Sequence, residues 1–422
     1  MNAKNRVCII GAGTAGLCAL KNSIEHGMQA TAYEQCDQIG GTWVYYEPTE
    51  NEEHEEDVQS SMYKDLRTNL PKEVMGFADY DFPESVKESY ITCGEVLKFL
   101  QSYAEHFNLG SHIKLRHEII RVRPRRDIWE VLIKDMATDQ YFIEYFDFVF
   151  VCNGHYTKPS YPTIKDLDIY EGQRLHSHLY RTPDMFKDQN VLIIGVGPSG
   201  MDIAAHIHDS AKEVYLSHHM ETNPNTDFMT NVIHKPDLER FTKTGAVFKD
   251  GSIETFTFVI FCTGYKYTFP FLSTDCGIHV DDNFVQPLYK HCININYNTM
   301  AFIGIPFNVL PSQVFDLQVR FALKFYTKQI QLPDRAEMLA DLEHDLETRR
   351  SQKLPKKRAH FLGPRQFEYY NELATIADIT NIKPVVQSIM RDDGCKYISR
   401  LNSFRNACYK CINDNEYIKY ES

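Results

Sequence analysis

Two six-residue glycine loops, Gly11-Ala12-Gly13-Thr14-Ala15-Gly16 and Gly195-Val196-Gly197-Pro198-Ser199-Gly200, restrict what this chain can fold into more than any other feature. Each follows a short apolar run, Val7 to Ile10 in the first case and Val191 to Ile194 in the second, and each opens a stretch with helical patterning. Apolar strand, G-x-G-x-x-G loop and helix, in that order, make the phosphate-binding turn of a βαβ unit. The first glycine permits the tight turn, the second lets backbone approach a pyrophosphate, and the third lets helix pack on strand. The helix N-terminus then offers unpaired N–H groups and the positive end of its dipole to an anion. The reading is an α/β chain with two Rossmann-like dinucleotide-binding cradles, and 422 residues suffice for two or three domains.

The acids that follow the two loops differ. In the first unit the helix is expected to run to His26, with Gly27 as its stop, and the next strand to end at Glu34, 18 residues after Gly16. There a carboxylate accepts hydrogen bonds from ribose hydroxyls. In the second unit the helix is expected through Asp202 to about Asp209 and the strand over Val214 to Ser217. The same count lands on His218, with His219 beside it and no carboxylate at either position. A 2′-phosphate would meet no like charge there, and Ser217, His218 and His219 supply donors, which favours NADPH over NADH.

Composition removes several function classes. The formal net charge of −12 opposes nucleic acid and anionic membrane surfaces. No stretch approaches the roughly 18 uninterrupted apolar residues of a membrane span, and the apolar run at Val7 feeds a glycine loop instead of a cleavage site. A soluble, cytoplasmic protein is expected. Eleven cysteines are scattered, and Cys408 and Cys411 form a lone C-x-x-C, so neither a disulfide framework nor a metal site is expected. The acidic run Glu50 to Asp57 reads as a solvated loop.

Beyond Glu34 lies Gly40-Gly41-Thr42-Trp43, a second glycine loop close to the first cradle. Glu34 followed by Gly41-Thr42-Trp43 resembles the FAD-binding half of the flavin-containing monooxygenases. The segment Tyr170-Glu171-Gly172-Gln173-Arg174-Leu175-His176-Ser177-His178-Leu179-Tyr180 matches that family's identifying pattern F-x-G-x-x-x-H-x-x-x-Y, with Tyr170 in place of phenylalanine. Thr68-Asn69-Leu70-Pro71-Lys72 and Thr263-Gly264-Tyr265 extend the resemblance over nearly the whole chain. It implies FAD in the first cradle and NADP(H) in the second, with hydride passing from nicotinamide to flavin. Where the family usually has arginine two positions after the serine of the second strand, this chain has His219.

The runs Phe148 to Gly154 and Phe258 to Gly264 bracket the second loop as hinges of an inserted domain. They divide the chain into an FAD part at 1–154, an NADPH part at 155–265 and the remaining FAD part at 266–422. The resemblance implies that Asn69 holds a flavin hydroperoxide and the nicotinamide that shields it; a carboxamide neither protonates nor displaces the peroxide. Gln318, on a helix expected over Ser312 to Ile330, either presents its amide near the flavin, the N-terminus of that helix favouring negative charge on the ring, or packs in the core or faces solvent. The expected cofactor contacts are Gly11, Gly13, Thr14, Ala15, Gly16, Glu34, Gln35, Gly41, Thr42, Trp43, Thr68, Asn69, Gly195, Gly197, Pro198, Ser199, Gly200, Ser217, His218, His219, Thr263, Gly264 and Gln318.

The chain is similar to the insect N-oxygenases of plant pyrrolizidine alkaloids, the senecionine N-oxygenase type. Its expected reaction is O2-dependent oxygenation of a small-molecule tertiary amine or thioether. Two other readings stand behind this one: a Baeyer–Villiger monooxygenase acting on ketones, against which residues 170–181 argue, and an electron-transfer flavoprotein or reductase. A homo-oligomer such as a dimer is left open.

Overall fold

The computed structural model describes residues 5–47, 60–220, 227, 229–394 and 396–421, and the acidic run Glu50 to Asp57 lies outside them. Two separate sheets carry the two glycine loops. The first has seven strands in the order Leu288–Tyr289, Ile293–Asn294, Met300–Phe302, Phe148–Val151, Arg6–Ile10, Gln29–Tyr33, Ile113–Lys114. Its last five are mutually parallel, while the 288–294 pair adds an antiparallel edge. The second has five parallel strands in the order Val232–Pro236, Glu213–His218, Asn190–Ile194, Phe258–Phe261, Gln173–His176. Continuous apolar runs such as Phe148-Val149-Phe150-Val151 and Phe258-Val259-Ile260-Phe261 are buried throughout, as strands covered on both faces must be. In both sheets the glycine loop leaves the C-terminal end of an inner strand that has a parallel neighbour on each side, the next strand of the unit on one side and a later strand on the other. That is the switch point where open α/β sheets bind ligands.

The chain passes between the sheets twice, and the two passages are zipped together. Lys158–Pro159 pairs antiparallel with Tyr265–Lys266. Ser160 N donates to Gly264 O at 2.9 Å and Thr263 Oγ1 to Ser160 O at 2.5 Å. The identifying segment at 170–180 also gains a physical reason. Its strand Gln173–His176 forms an edge of the second sheet, and the Tyr170 hydroxyl donates to Phe256 O at 3.0 Å. The Tyr170 ring folds over Gly172 so closely that a Cβ there would lie 2.1 Å from the hydroxyl oxygen. His176 is wholly buried, and burial holds its imidazole neutral, down to about 4.

Element ends depart modestly from expectation. The first cradle's helix spans Thr14–Glu25 with Gly27 at φ +74° behind it, and its second strand ends at Tyr33, one residue before Glu34. The later helix spans Pro311–Tyr326 instead of reaching Ile330, because Lys328 adopts a left-handed conformation at φ +57°. Among the described residues no helix is long and apolar enough to cross a membrane, and no group of His, Cys, Asp and Glu could hold a metal ion.

Candidate active site

The two cradles are built from the same bonds. Gly11 N donates to Tyr33 O at 2.8 Å and Cys152 N to Ile10 O at 3.0 Å; in the second cradle Gly195 N donates to Ser217 O and Cys262 N to Ile194 O, both at 2.9 Å. Gly11 and Gly195 have φ of +100° and +110°, and a Cβ on either would come within 2.7 and 2.4 Å of the carbonyl oxygens of Cys152 and Cys262. Gly16 and Gly200 are more restricted still, since a Cβ would lie 1.9 Å from the carbonyl oxygen of Gly11 or Gly195. Neither helix has a side-chain cap or an acid in its first turn. Their first N–H groups therefore suit a phosphate, and both cradles fit a dinucleotide.

Around this shared frame the two differ. Glu34 is buried, its Oε2 accepting from Ala12 N at 2.8 Å and its Oε1 from Cys36 N at 2.9 Å, so the carboxylate is fixed at the mouth of the first loop. Gly40 N donates to Ala12 O at 3.1 Å, which lays the second glycine loop across the first. Gly41 Cα would meet a Cβ on Gly13 at 3.3 Å, whereas a Cβ on Gly197 would meet nothing within 4 Å. Thr42 and the half-buried Trp43 complete the turn Gly41–Trp43, with Trp43 packed against the main core. Thr14 and Ala15 begin the first helix, while Gln35 lies exposed beside Glu34. In the second cradle Pro198 and Ser199 begin the helix, Ser217 and His218 are buried at the strand end, and His219 is exposed beyond them. Ser217 Oγ donates to Pro236 O at 2.9 Å. Thr263 and Gly264 stand at the zipped passage described above.

Asn69 sits where the two halves meet. It is exposed and lines a small cleft with Pro198, Met201 and Asp202 of the second cradle's helix and with Leu401, Phe404 and Arg405 from the far end of the chain. Its neighbour Thr68 is buried and bound to Ile91 in both directions, Thr68 N to Ile91 O at 2.8 Å and Ile91 N to Thr68 Oγ1 at 3.1 Å. Arg405 holds the same loop: its Nε donates to Thr68 O at 3.1 Å and its Nη2 to Arg67 O at 3.0 Å and to Asp202 Oδ1 at 2.7 Å. The Tyr63 hydroxyl bonds the other Asp202 oxygen. The sequence reading missed Arg405, Asp202 and Tyr63 as site residues, and no motif or spacing connects partners so far apart along the chain.

Gln318 requires a correction. It is wholly buried, its Oε1 accepting from Gly304 N at 3.0 Å and its Nε2 donating to the Tyr369 hydroxyl at 2.8 Å. Both ends of the amide are used inside the core, so it props Gly304 instead of presenting to a flavin.

The family model described as flavin-binding monooxygenase-like matches residues 4–223 and 220–399. The chain is 34% identical to the senecionine N-oxygenase of Tyria jacobaeae, over 99% of this chain and 92% of that one. It is 35% identical to the flavin-containing monooxygenase FMO GS-OX4 of Arabidopsis thaliana, over 89% and 85%. The solved structure of S-allyl-L-cysteine S-oxygenase from Allium sativum superposes with a TM-score of 0.91 at 33% identity, covering 96% of each chain. With both cradles in place and almost the whole chain matched, the protein belongs to the flavin-binding monooxygenase-like family and is a flavin-containing monooxygenase.

Proposed function

We propose that the chain binds FAD in the cradle of Gly11, Gly13, Gly16 and Glu34 and NADPH in the cradle of Gly195, Gly197 and Gly200, and that it transfers one oxygen atom from O2 to the nitrogen of a tertiary amine. Pyrrolizidine alkaloids such as senecionine are the proposed substrates, and thioether sulfur reacts in the same way. The observation that carries this reading is the cleft in which Asn69 faces Pro198, the first helical residue of the second cradle. The names of two relatives, one an N-oxygenase and one an S-oxygenase, support a soft nucleophile as acceptor. Reduced FAD, when bound, would pass to O2 the two electrons taken from NADPH, so that one oxygen atom goes to the substrate and the other leaves as water.

The residues of the chain divide the remaining work. Glu34 anchors the ribose of FAD, and the helix N-termini at Thr14 and Pro198 hold the two pyrophosphates. The exposed His219 receives the 2′-phosphate, because Ser217 and His218 are buried at the strand end and the Ser217 hydroxyl already donates to Pro236 O. Asn69 orients the nicotinamide and donates from its amide to the oxygen being transferred, while Met201, Leu401 and Phe404 give the cleft apolar walls that exclude water. The proposed division is an FAD part at 1–154 and 266–422 and an NADPH part at 155–265, and the membership of the two sheets supports it.

Asn69→Ala tests the reading. The variant is expected to keep its flavin while NADPH oxidation becomes uncoupled, hydrogen peroxide replacing most of the N-oxide in assays with senecionine or N,N-dimethylbenzylamine. Unchanged coupling removes Asn69 from the reaction.

A further inference from the structure

We propose that Arg405 is a positioning residue for oxygen transfer: through Asp202 it fixes the Asn69 loop against the helix of the second cradle. The inference rests on the reading of Asn69 above. Three hydrogen bonds carry it, because one guanidinium joins three pieces of chain. Two go to consecutive carbonyls, Arg67 and Thr68, immediately before Asn69, and the third goes to Asp202, one turn into the helix that Pro198 opens. A planar fork with several donors suits this task, and an ammonium does not.

Arg405 is itself held from both sides. Phe404 is buried against Tyr90, ring centroids 5.1 Å apart and edge to face, and the Arg405 guanidinium lies 4.7 Å from the Phe404 ring centroid. Four residues on, Tyr409 N donates to the buried Ser89 Oγ at 2.8 Å. Tyr90 also receives the Arg67 guanidinium on its carbonyl, at 2.7 Å from Nη2 and 3.2 Å from Nε. The last part of the chain therefore approaches the cleft from outside both cradles, with its own anchors, and sets the separation of Asn69 from Pro198. The ion pair is about one-fifth exposed on each side. Its role lies in geometry, since a loop displaced by about 1 Å can cost a reaction up to a hundredfold.

The test uses the full-length, FAD-loaded protein and the variants Arg405→Ala, Arg405→Lys and Asp202→Asn. Two readouts are taken: amide hydrogen exchange of peptides covering Leu66 to Lys72, and N-oxide formed per NADPH consumed with N,N-dimethylbenzylamine. Arg405→Ala is expected to raise exchange in that segment by about tenfold, as loss of local protection does, and to lower the coupling ratio by about tenfold with flavin content unchanged. Asp202→Asn should move both readouts the same way by less. Arg405→Lys should recover the Asp202 contact without restoring coupling. Exchange and coupling in Arg405→Ala equal to those of the parent protein overturn the proposal. So does loss of flavin in step with coupling in Arg405→Ala while Asp202→Asn behaves like the parent protein. Should Arg405→Ala fail to fold, the lysine and asparagine variants decide by the same two readouts. A parent protein that oxidises NADPH without oxygenating the amine defeats the functional reading instead, and the exchange result then still decides whether Arg405 holds the loop.

Discussion

The two cradles share a skeleton and differ in what has been added to it. Each has a glycine at strongly positive φ under a carbonyl oxygen, and each has a third glycine pressed against the first. The first cradle adds a buried carboxylate tied to two backbone N–H groups and a second glycine loop laid within van der Waals contact. The second adds neither, and Gly197 faces open space. A closed site with a fixed acid suits a cofactor that stays bound, and an open site without one suits a cofactor that arrives, reacts and leaves. The shared bonds suit dinucleotide binding in both cradles, and the additions underlie the proposal that FAD is the cofactor that stays, in the first.

That contrast can be broken most sharply at the third glycines. Gly16→Ala and Gly200→Ala each place a methyl group 1.9 Å from a carbonyl oxygen, a clash worth about 3 kcal/mol. Gly16→Ala should give colourless protein with little flavin by absorbance. Gly200→Ala should stay yellow while its reduction by NADPH slows by about a hundredfold in stopped-flow measurements. Equal flavin loss in both would erase the difference between the cradles. Next in size is Glu34→Gln, which leaves one buried N–H facing an amide NH2 instead of an oxygen, at about 1–3 kcal/mol. A lowered melting temperature and easier release of FAD are expected, and an unchanged midpoint would show that the two backbone bonds to Glu34 contribute little. The smallest effect belongs to His219→Arg in the second cradle. Added charge at this exposed position should gain roughly 1 kcal/mol and lower the KM for NADPH about fivefold. The KM for NADH should not move, and equal shifts for both cofactors would refute the placement of the 2′-phosphate.

Much of this was legible in the order of residues. Strand, glycine loop and helix are contiguous, so their geometry follows from local sterics: Gly11 and Gly195 must adopt positive φ, and Gly16 and Gly200 must lack a Cβ wherever a helix returns over its own strand. The acid at Glu34 and its absence at His218 could be counted off for the same reason. Tyr170, Gly172 and His176 could be recognised as a pattern but not explained, because Gly172 is required by the Tyr170 ring folded over it, while the buried His176 accepts from His178 N at 3.1 Å at the end of an edge strand paired with residues far along the chain.

Gln318 marks one limit. Its place on a helix was readable, but whether its amide meets a cofactor or the core depends on Gly304 and Tyr369, brought there by other elements. Arg405 marks the other: its partners Asp202, Arg67 and Thr68 lie hundreds of residues away and carry no spacing signal. The sequence alone determined both cradles, since a dinucleotide turn is written in consecutive residues. Only the tertiary structure decided how the cradles face one another and what holds Asn69 between them, because those contacts join segments related by packing and not by period.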